Sequence, residues 1–256
     1  MDYLTSARKL DPQKSLQLCY HACTMNRMKN KRKVGPDAPF WYHPKFNDWK
    51  SWKGSTLIMV KGDYKTRQVV KGFVVNIVRL LHQEDVPVVW VLKAPQSSST
   101  EGISTVDVLK DLICQILRLN ISKHTERSLS LSCAQFRSAE TLSQWFDLLA
   151  TVLEHFSLLF IIIDIEAVSV AYAKSIEDFS WLSSFTTVLQ SLSKRQLQTK
   201  LKVLLVSYGS ASLQEPKLAL FHDLIVSTRQ SIPTPSQKRG RYPNFPRQGD
   251  KRGSIS

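Results

Sequence analysis

The amino-acid sequence predicts an α/β fold in which a doubly wound, mainly parallel sheet is covered by helices. Apolar segments of strand length alternate along the chain with segments whose apolar residues recur at helical spacing. The strand-like segments 87–92 and 158–164 are almost unbroken apolar runs, as expected for strands covered on both faces. Alternation of such strands with helices favours a parallel, doubly wound sheet.

The predicted elements follow one another from residue 56 onward. Strands are expected over residues 56–61, 87–92, 158–164, 200–207 and 222–227. Helices are expected over residues 66–82, 104–119, 138–156, from 175 onward and over 216–221. Ser104 with Asp107, and Ser175 with Asp178, match the capping-box pattern. The polar segment 120–137 has no apolar period and is expected to be irregular.

Residues 1–39 are predicted to form an N-terminal helix and a basic linker. The helix covers residues 11–30, with Asp11 as its cap and Pro12 in its first turn. It ends in a basic cluster that comprises Arg27, Lys29, Lys31, Arg32 and Lys33. This cluster is interpreted as a nuclear-import signal or polyanion patch, or as a solvated helix end whose cations face the negative pole of the dipole.

An aromatic segment connects this helix to the alternating part of the chain. It contains Phe40, Trp41, Tyr42, Phe46, Trp49 and Trp52. Such large apolar surface is expected to pack along the edge of the following domain. Stacking of nucleobases on these rings is the functional alternative.

The positive charge lies at the two ends of the chain. Residues 1–53 hold 11 Lys/Arg against 4 Asp/Glu, residues 54–228 hold 17 against 16, and residues 229–256 hold 7 against 1. Basic arms around a neutral core suggest contact with polyanions or a localising role. Residues 231–256 combine prolines, glycines and cations without an apolar period, so we expect a disordered tail.

Several classes of protein do not fit the sequence. The longest apolar run is too short to span a membrane, and the N-terminus lacks a secretory apolar region. The four cysteines are too scattered for a disulfide framework. Cys19 and Cys23 are expected to be buried thiols, with metal binding as the alternative. We expect a cytoplasmic location, or a nuclear one if the basic cluster directs import.

Residues 40–230 resemble a NACHT-type domain, a class of STAND signal-transducing P-loop NTPase abundant in filamentous fungi. The resemblance rests on Trp41, Phe46 and Trp49, on the strand TLIMVKG at 56–62 with its helix, and on the strands FIIID at 160–164 and KVLLVS at 202–207. The last two look like the family's Walker B strand and the strand that follows it. The resemblance implies a sheet of P-loop NTPase type.

The Walker A loop that the resemblance implies would begin at Gly62. Such a loop needs a Lys for the phosphates and a Ser/Thr hydroxyl for Mg²⁺. In the family's register, however, the lysine place falls on Gln68 and the hydroxyl places fall on Val69 and Val70. A shifted register would instead use residues 65–66, although the loop before them is then short.

The Walker B strand that the resemblance implies ends at Asp164, which would be associated with Mg²⁺ or would simply cap a turn. The water-activating acids would fall on Ala167 and Val168, and Tyr208 stands where an arginine sensor is usual. The predicted site is therefore a vestigial nucleotide site that comprises Gly62, Lys65, Thr66 and Asp164. No catalytic or metal-binding residue is assigned.

These observations favour a non-hydrolysing binding or regulatory module, or a remnant of a larger protein, that needs no cofactor. The first alternative is a weak NTPase that binds ATP or GTP with Mg²⁺ through the four vestigial residues. The second alternative is a polyanion-binding protein that uses its basic arms.

Overall fold

The computed structural model describes residues 10–30, 42–95, 103–119, 126–168, 179–195, 199–208 and 223–227. The helices in these ranges are α1 (Pro12–Asn30), α2 (Pro44–Ser51), α3 (Arg67–Gln83), α4 (Thr105–Leu119), α5 (Glu126–Ser138), α6 (Leu142–Leu153) and α7 (Trp181–Lys194). The strands are β1 (Thr56–Lys61), β2 (Val88–Val91), β3 (Leu158–Asp164), β4 (Lys200–Ser207) and β5 (Ile225–Ser227), and a 3₁₀ turn (Ile165–Ala167) follows β3.

The five strands form one parallel sheet in the order β2-β3-β4-β1-β5. The predicted fold class, an α/β protein with a parallel sheet between helices, is confirmed. Asp164 pairs with Val206, and Lys61 pairs with Ser207. The carboxyl ends of β1, β3 and β4 therefore lie together at one edge of the sheet.

The core lies on both faces of the sheet. Helices α4, α6 and α7 cover one face with residues such as Leu112, Leu149 and Phe185. Helices α1, α2 and α3 cover the other face. Alternate residues of β3 point to opposite faces: Ile161 joins the first cluster and Ile162 joins the second. This two-sided burial explains the apolar strand sequences.

Helix α2 is anchored to the sheet by its aromatic residues and by a buried lysine. Phe46 and Trp49 are buried, and the Trp49 indole N–H donates to the Val203 carbonyl at 3.1 Å. The Lys202 ammonium donates to the carbonyls of Trp49 and Trp52 at the end of the helix. Burial lowers the pKa of Lys202. These contacts satisfy helix-end carbonyls that would otherwise lack partners.

The prediction that the whole aromatic segment packs against the domain holds only in part. It is confirmed for Phe46 and Trp49 but wrong for Tyr42 and Trp52, which are 69% and 64% exposed. Their exposure follows from their places at either end of α2, beyond the face that meets the sheet. The remaining two aromatic residues of the segment lie outside the described residues.

The region between α4 and β3 differs from its prediction. The segment that was expected to be irregular contains α5, and the helix predicted over residues 138–156 is α6 alone. The Thr141 hydroxyl caps α6 by accepting from the Gln144 N–H at 3.3 Å, while the Gln144 side chain accepts from the Thr141 N–H at 3.0 Å. Helix α5 is held by tertiary packing, because Phe136 meets Trp145 edge-on at 5.0 Å.

Other local predictions had mixed outcomes. The Ser104 and Asp107 capping box is confirmed by reciprocal hydrogen bonds at the start of α4. Helix α7 begins at Trp181 with Ser180 as its cap. The second predicted capping box, the helix over 216–221, the residues 31–33 and the tail 231–256 lie outside the described residues.

The outer edge of β2 is closed by a side chain. The Gln115 amide of α4 accepts from the Trp90 N–H at 3.1 Å and donates to the Trp90 carbonyl at 2.8 Å. Asp111 also accepts from this amide, at 2.9 Å. The glutamine imitates a neighbouring strand, which limits edge-to-edge pairing with other chains.

Candidate nucleotide site

The turn after β1 is a tight and well-packed bend. The Gly62 N–H donates to the Ser207 carbonyl at 2.7 Å. A Cβ atom at Gly62 would lie 2.9 Å from Val70 Cγ2 and 3.3 Å from Tyr208 Cβ. The glycine is therefore required by the close approach of α3 and the end of β4.

The N-terminus of α3 is satisfied by a carboxylate within the turn itself. Asp63 Oδ1 accepts from the Thr66 N–H at 2.8 Å and from the Thr66 hydroxyl at 2.9 Å. The hydroxyl in turn accepts from the Asp63 N–H at 2.8 Å. The Thr66 hydrogen bonds, with help from Lys65, lower the pKa of Asp63. The Thr66 N–H and hydroxyl, which the shifted register would offer to a phosphate, therefore already donate to the Asp63 carboxylate.

Asp164 lies buried at the end of β3 and accepts three hydrogen bonds. Its Oδ2 atom accepts from the Tyr208 hydroxyl and from the Lys93 N–H, the latter at 3.2 Å. Its Oδ1 atom accepts from the Glu166 N–H at 3.1 Å. Burial raises the pKa of Asp164, while the Tyr208 hydrogen bond and the Lys71 charge oppose that rise.

Tyr208 fills the space between this carboxylate and helix α3. The residue is only 3% exposed. Its ring centroid lies 5.3 Å from the Arg67 guanidinium carbon and 5.2 Å from the Lys71 ammonium nitrogen, which is within the range of cation–π contacts. Burial and the nearby Asp164 charge raise the pKa of Tyr208 far above its usual range. The hydroxyl therefore stays protonated and acts as a donor.

Helix α1 packs beside the same edge of the sheet. The Asn26 amide donates to Gln68 Oε1 at 3.1 Å, so the residue at the lysine place of the predicted Walker A loop contacts α1. The Cys19 thiol donates to the Lys93 carbonyl at 3.3 Å. Burial raises the pKa of Cys19 to about 11 and also raises that of Cys23. These thiols are packed and protonated near neutral pH.

The predicted site residues are only partly brought together. Gly62 and Thr66 are adjacent, since a Cβ on the glycine would lie 3.1 Å from the Thr66 hydroxyl. Asp164 is connected to this turn only indirectly, because Tyr208 donates a hydrogen bond to Asp164 and packs beside Gly62. Lys65 is exposed, and its charge acts on Asp63.

Sequence reasoning missed the internal role of Asp63 and the partner of Tyr208. The Asp63-x-x-Thr66 spacing is a recognisable local signal for a side-chain-closed turn. The Tyr208 contact has no local signal, because its partner is 44 residues away in the sequence. Glu166, which lies beside the places where the predicted water-activating acids would fall, accepts a hydrogen bond from the Ser207 hydroxyl at 3.2 Å.

The described ranges lack two further kinds of feature. They contain no group of three or more His, Cys, Asp or Glu side chains placed to hold a metal ion. None of their helices combines the length and apolar character needed to cross a lipid bilayer.

Comparisons with known proteins give a distant structural likeness to solved structures. No protein-family model matches the chain, and no similar curated protein was found. A solved structure of the Aeropyrum pernix ORC2 protein, in ADPNP–ADP complexes, matches with a TM-score of 0.42 and 15% sequence identity. The match covers 77% of this chain and 46% of that chain, so this chain spans less than half the length of the ORC2 protein.

Proposed function

We propose that residues 40–230 form a NACHT/STAND-like P-loop domain that does not hydrolyse nucleotides and acts as a binding or regulatory module. The observation that carries this proposal is the buried Tyr208, whose hydroxyl donates to Asp164. In open α/β sheets, ligands bind outside the carboxyl ends of the strands. In this protein the space between β3 and α3 at that edge is filled by a tyrosine.

The charges around this edge also disfavour a nucleotide. Arg67 and Lys71, which could attract phosphates, both lie against the Tyr208 ring. Asp63 places a carboxylate at the helix N-terminus where a phosphate would otherwise bind. Phosphoryl transfer depends on positioning and on stabilisation of charge. The residues present do not fit ATP or GTP with Mg²⁺.

Titration calorimetry of the full chain with ATP and GTP, each with Mg²⁺, tests this proposal. We expect no saturable heat of binding at micromolar nucleotide. Saturable micromolar binding that is lost in Lys65→Ala and kept in Lys50→Ala would overturn it in favour of a weak nucleotide-binding NTPase. Lys50 is a matched control because it is an exposed lysine on α2.

A second proposed function is contact with polyanions through the basic arms. The described part of the cluster supports it, because Lys29 is exposed in the last turn of α1. We expect binding of a fluorescent oligonucleotide to weaken steeply between about 50 mM and about 200 mM salt, since phosphate contacts release counterions. A signal that does not respond to salt would argue against this function.

A further inference from the structure

The outward face of the last two turns of α1 carries exposed apolar side chains beside a cation. Met25 is 49% exposed and Met28 is 69% exposed. At about 100° per residue, these two methionines and Lys29 fall within an arc of about 100°. The opposite side of α1 holds Cys19 and Cys23, which pack on the core. The methionines therefore point away from the domain.

The surroundings of this face are basic. Residues 12–30 contain no Asp or Glu, and three further cations follow at residues 31–33. The face formed by Met25, Met28 and Lys29 thus combines exposed apolar groups with positive charge.

We propose that this face binds the surface of a bilayer that contains anionic phospholipids. Basic clusters on a helix are attracted to anionic headgroups, and apolar side chains beside them insert at the boundary between headgroups and acyl chains. Nucleic acid would use the charges but would leave the methionines without a role. Stacking of a base on Tyr20 competes with Arg79, which already lies over that ring.

This inference rests on the second proposed function, polyanion contact, and names its ligand as lipid. It is independent of the closed nucleotide site, because Met25 and Met28 lie on the outward side of α1. The helix would lie on the bilayer and would not cross it.

Sedimentation of the full chain with vesicles tests the inference. The vesicles are phosphatidylcholine alone, or phosphatidylcholine with about 30 mol% phosphatidylserine, at low and high salt. We expect binding only to the anionic vesicles. Lys29→Ala should weaken it about fivefold, which corresponds to about 1 kcal/mol per basic residue near such a surface.

Two variants separate lipid from other ligands. The double variant Met25→Ser/Met28→Ser should weaken vesicle binding while leaving oligonucleotide binding unchanged. Lys194→Ala should leave vesicle binding unchanged, because this exposed lysine ends α7 on the opposite face of the sheet. Circular dichroism checks that each variant keeps its fold, as expected for exposed positions.

Three outcomes would overturn the lipid proposal. They are absence of binding to the anionic vesicles, full binding by the double methionine variant, and equal losses for the Lys29 and Lys194 variants. Oligonucleotide binding without vesicle binding would refute lipid as the ligand and leave the polyanion function standing. Absence of both would refute the two together.

Discussion

Tyr208→Phe removes one hydroxyl from the buried edge of the sheet and leaves the ring in place. The hydroxyl is one of three donors to the Asp164 carboxylate, together with the N–H groups of Lys93 and Glu166. The Arg67 guanidinium lies over this ring in the wild type, and we expect the variant to keep that packing. The substitution therefore isolates a single hydrogen bond to a buried acid.

The expected loss of stability follows from the charge on the acceptor. A hydrogen bond to a charged group contributes about 1.5–3 kcal/mol net, against about 0.5–1.5 kcal/mol for a neutral pair. We expect Tyr208→Phe to lower the free energy of unfolding by about 2 kcal/mol when Asp164 is ionised. For a domain of this size, that loss lowers Tm by about 4–8 °C.

The pH dependence provides a second measurement of the same contact. Burial raises the pKa of Asp164 above its ordinary value of 3.8. The folded protein holds the Asp164 proton more tightly than the unfolded chain does, and this difference stabilises the fold. The stabilisation is fully present below pH 3.8 and is lost as the pH rises through the higher pKa that Asp164 has in the folded protein. Removing a donor to the ionised form raises that pKa further. The loss in Tyr208→Phe should therefore shrink toward acid pH, where the acceptor becomes neutral.

Urea unfolding at a series of pH values from acid to mildly alkaline measures both effects. Tyr64→Phe is the matched control, because it removes the hydroxyl of a ring that is 86% exposed. It should change stability by less than about 0.5 kcal/mol. A Tyr208→Phe variant that is as stable as the wild type at every pH, or one with the same loss across the whole series, would contradict the proposed hydrogen bond to the Asp164 carboxylate.

Two further predictions concern other buried polar groups. Gln115→Ala deprives the N–H and carbonyl of Trp90 of their side-chain partner. It should lower the free energy of unfolding in urea by about 1–3 kcal/mol and increase light scattering from aggregates. Unchanged stability would contradict the role of Gln115 in closing the edge of β2. Burial raises the pKa of Cys19 from 9.0 to about 11, so the folded protein holds the thiol proton more tightly than the unfolded chain does. The resulting stabilisation of the fold is fully present below pH 9.0 and is lost as the pH rises toward about 11. Cys19→Ala should reduce the loss of stability at alkaline pH, and an identical dependence of stability on pH in the variant would argue against a buried, protonated Cys19. Part of the alkaline loss remains in either case because the pKa of Tyr208 is raised as well.

The order of strands and helices could be predicted because each element carries its own local pattern. The run at Leu158–Asp164 is short enough to fit a strand buried on both faces better than a buried helix, and α3 shows a clear helical period. Helix α5 could not be predicted in the same way, because its serine-rich sequence weakens helix propensity. Its Phe136 finds Trp145 only in the folded protein. The Thr141–Gln144 signal was present and could have placed the start of α6.

The candidate site was less predictable because its contacts join distant parts of the chain. Tyr208 meets Asp164 only because β3 and β4 are neighbours and Asp164 pairs with Val206, two positions before the tyrosine. Hydrophobic periodicity places each strand, but it does not give the order of strands or their register. The contact of Asn26 with Gln68 depends in the same way on where α1 packs.

Under the proposed function, the protein itself supplies hydrogen-bond partners to Asp164 and to the first turn of α3 at the carboxyl edge of the sheet, whereas Arg67 Nε is buried there without a partner among the described residues. Buried donors and acceptors need partners, and in a nucleotide-binding domain phosphates and Mg²⁺ can supply some of them. In this chain Tyr208 supplies the partner of Asp164, and Asp63 supplies that of the first turn of α3. A Gln68→Lys change alone would therefore not restore phosphate binding, because the tyrosine would still occupy the space and the carboxylate would still repel the anion. On this proposal, the same contacts account both for the absence of nucleotide chemistry and for the stability of the sheet.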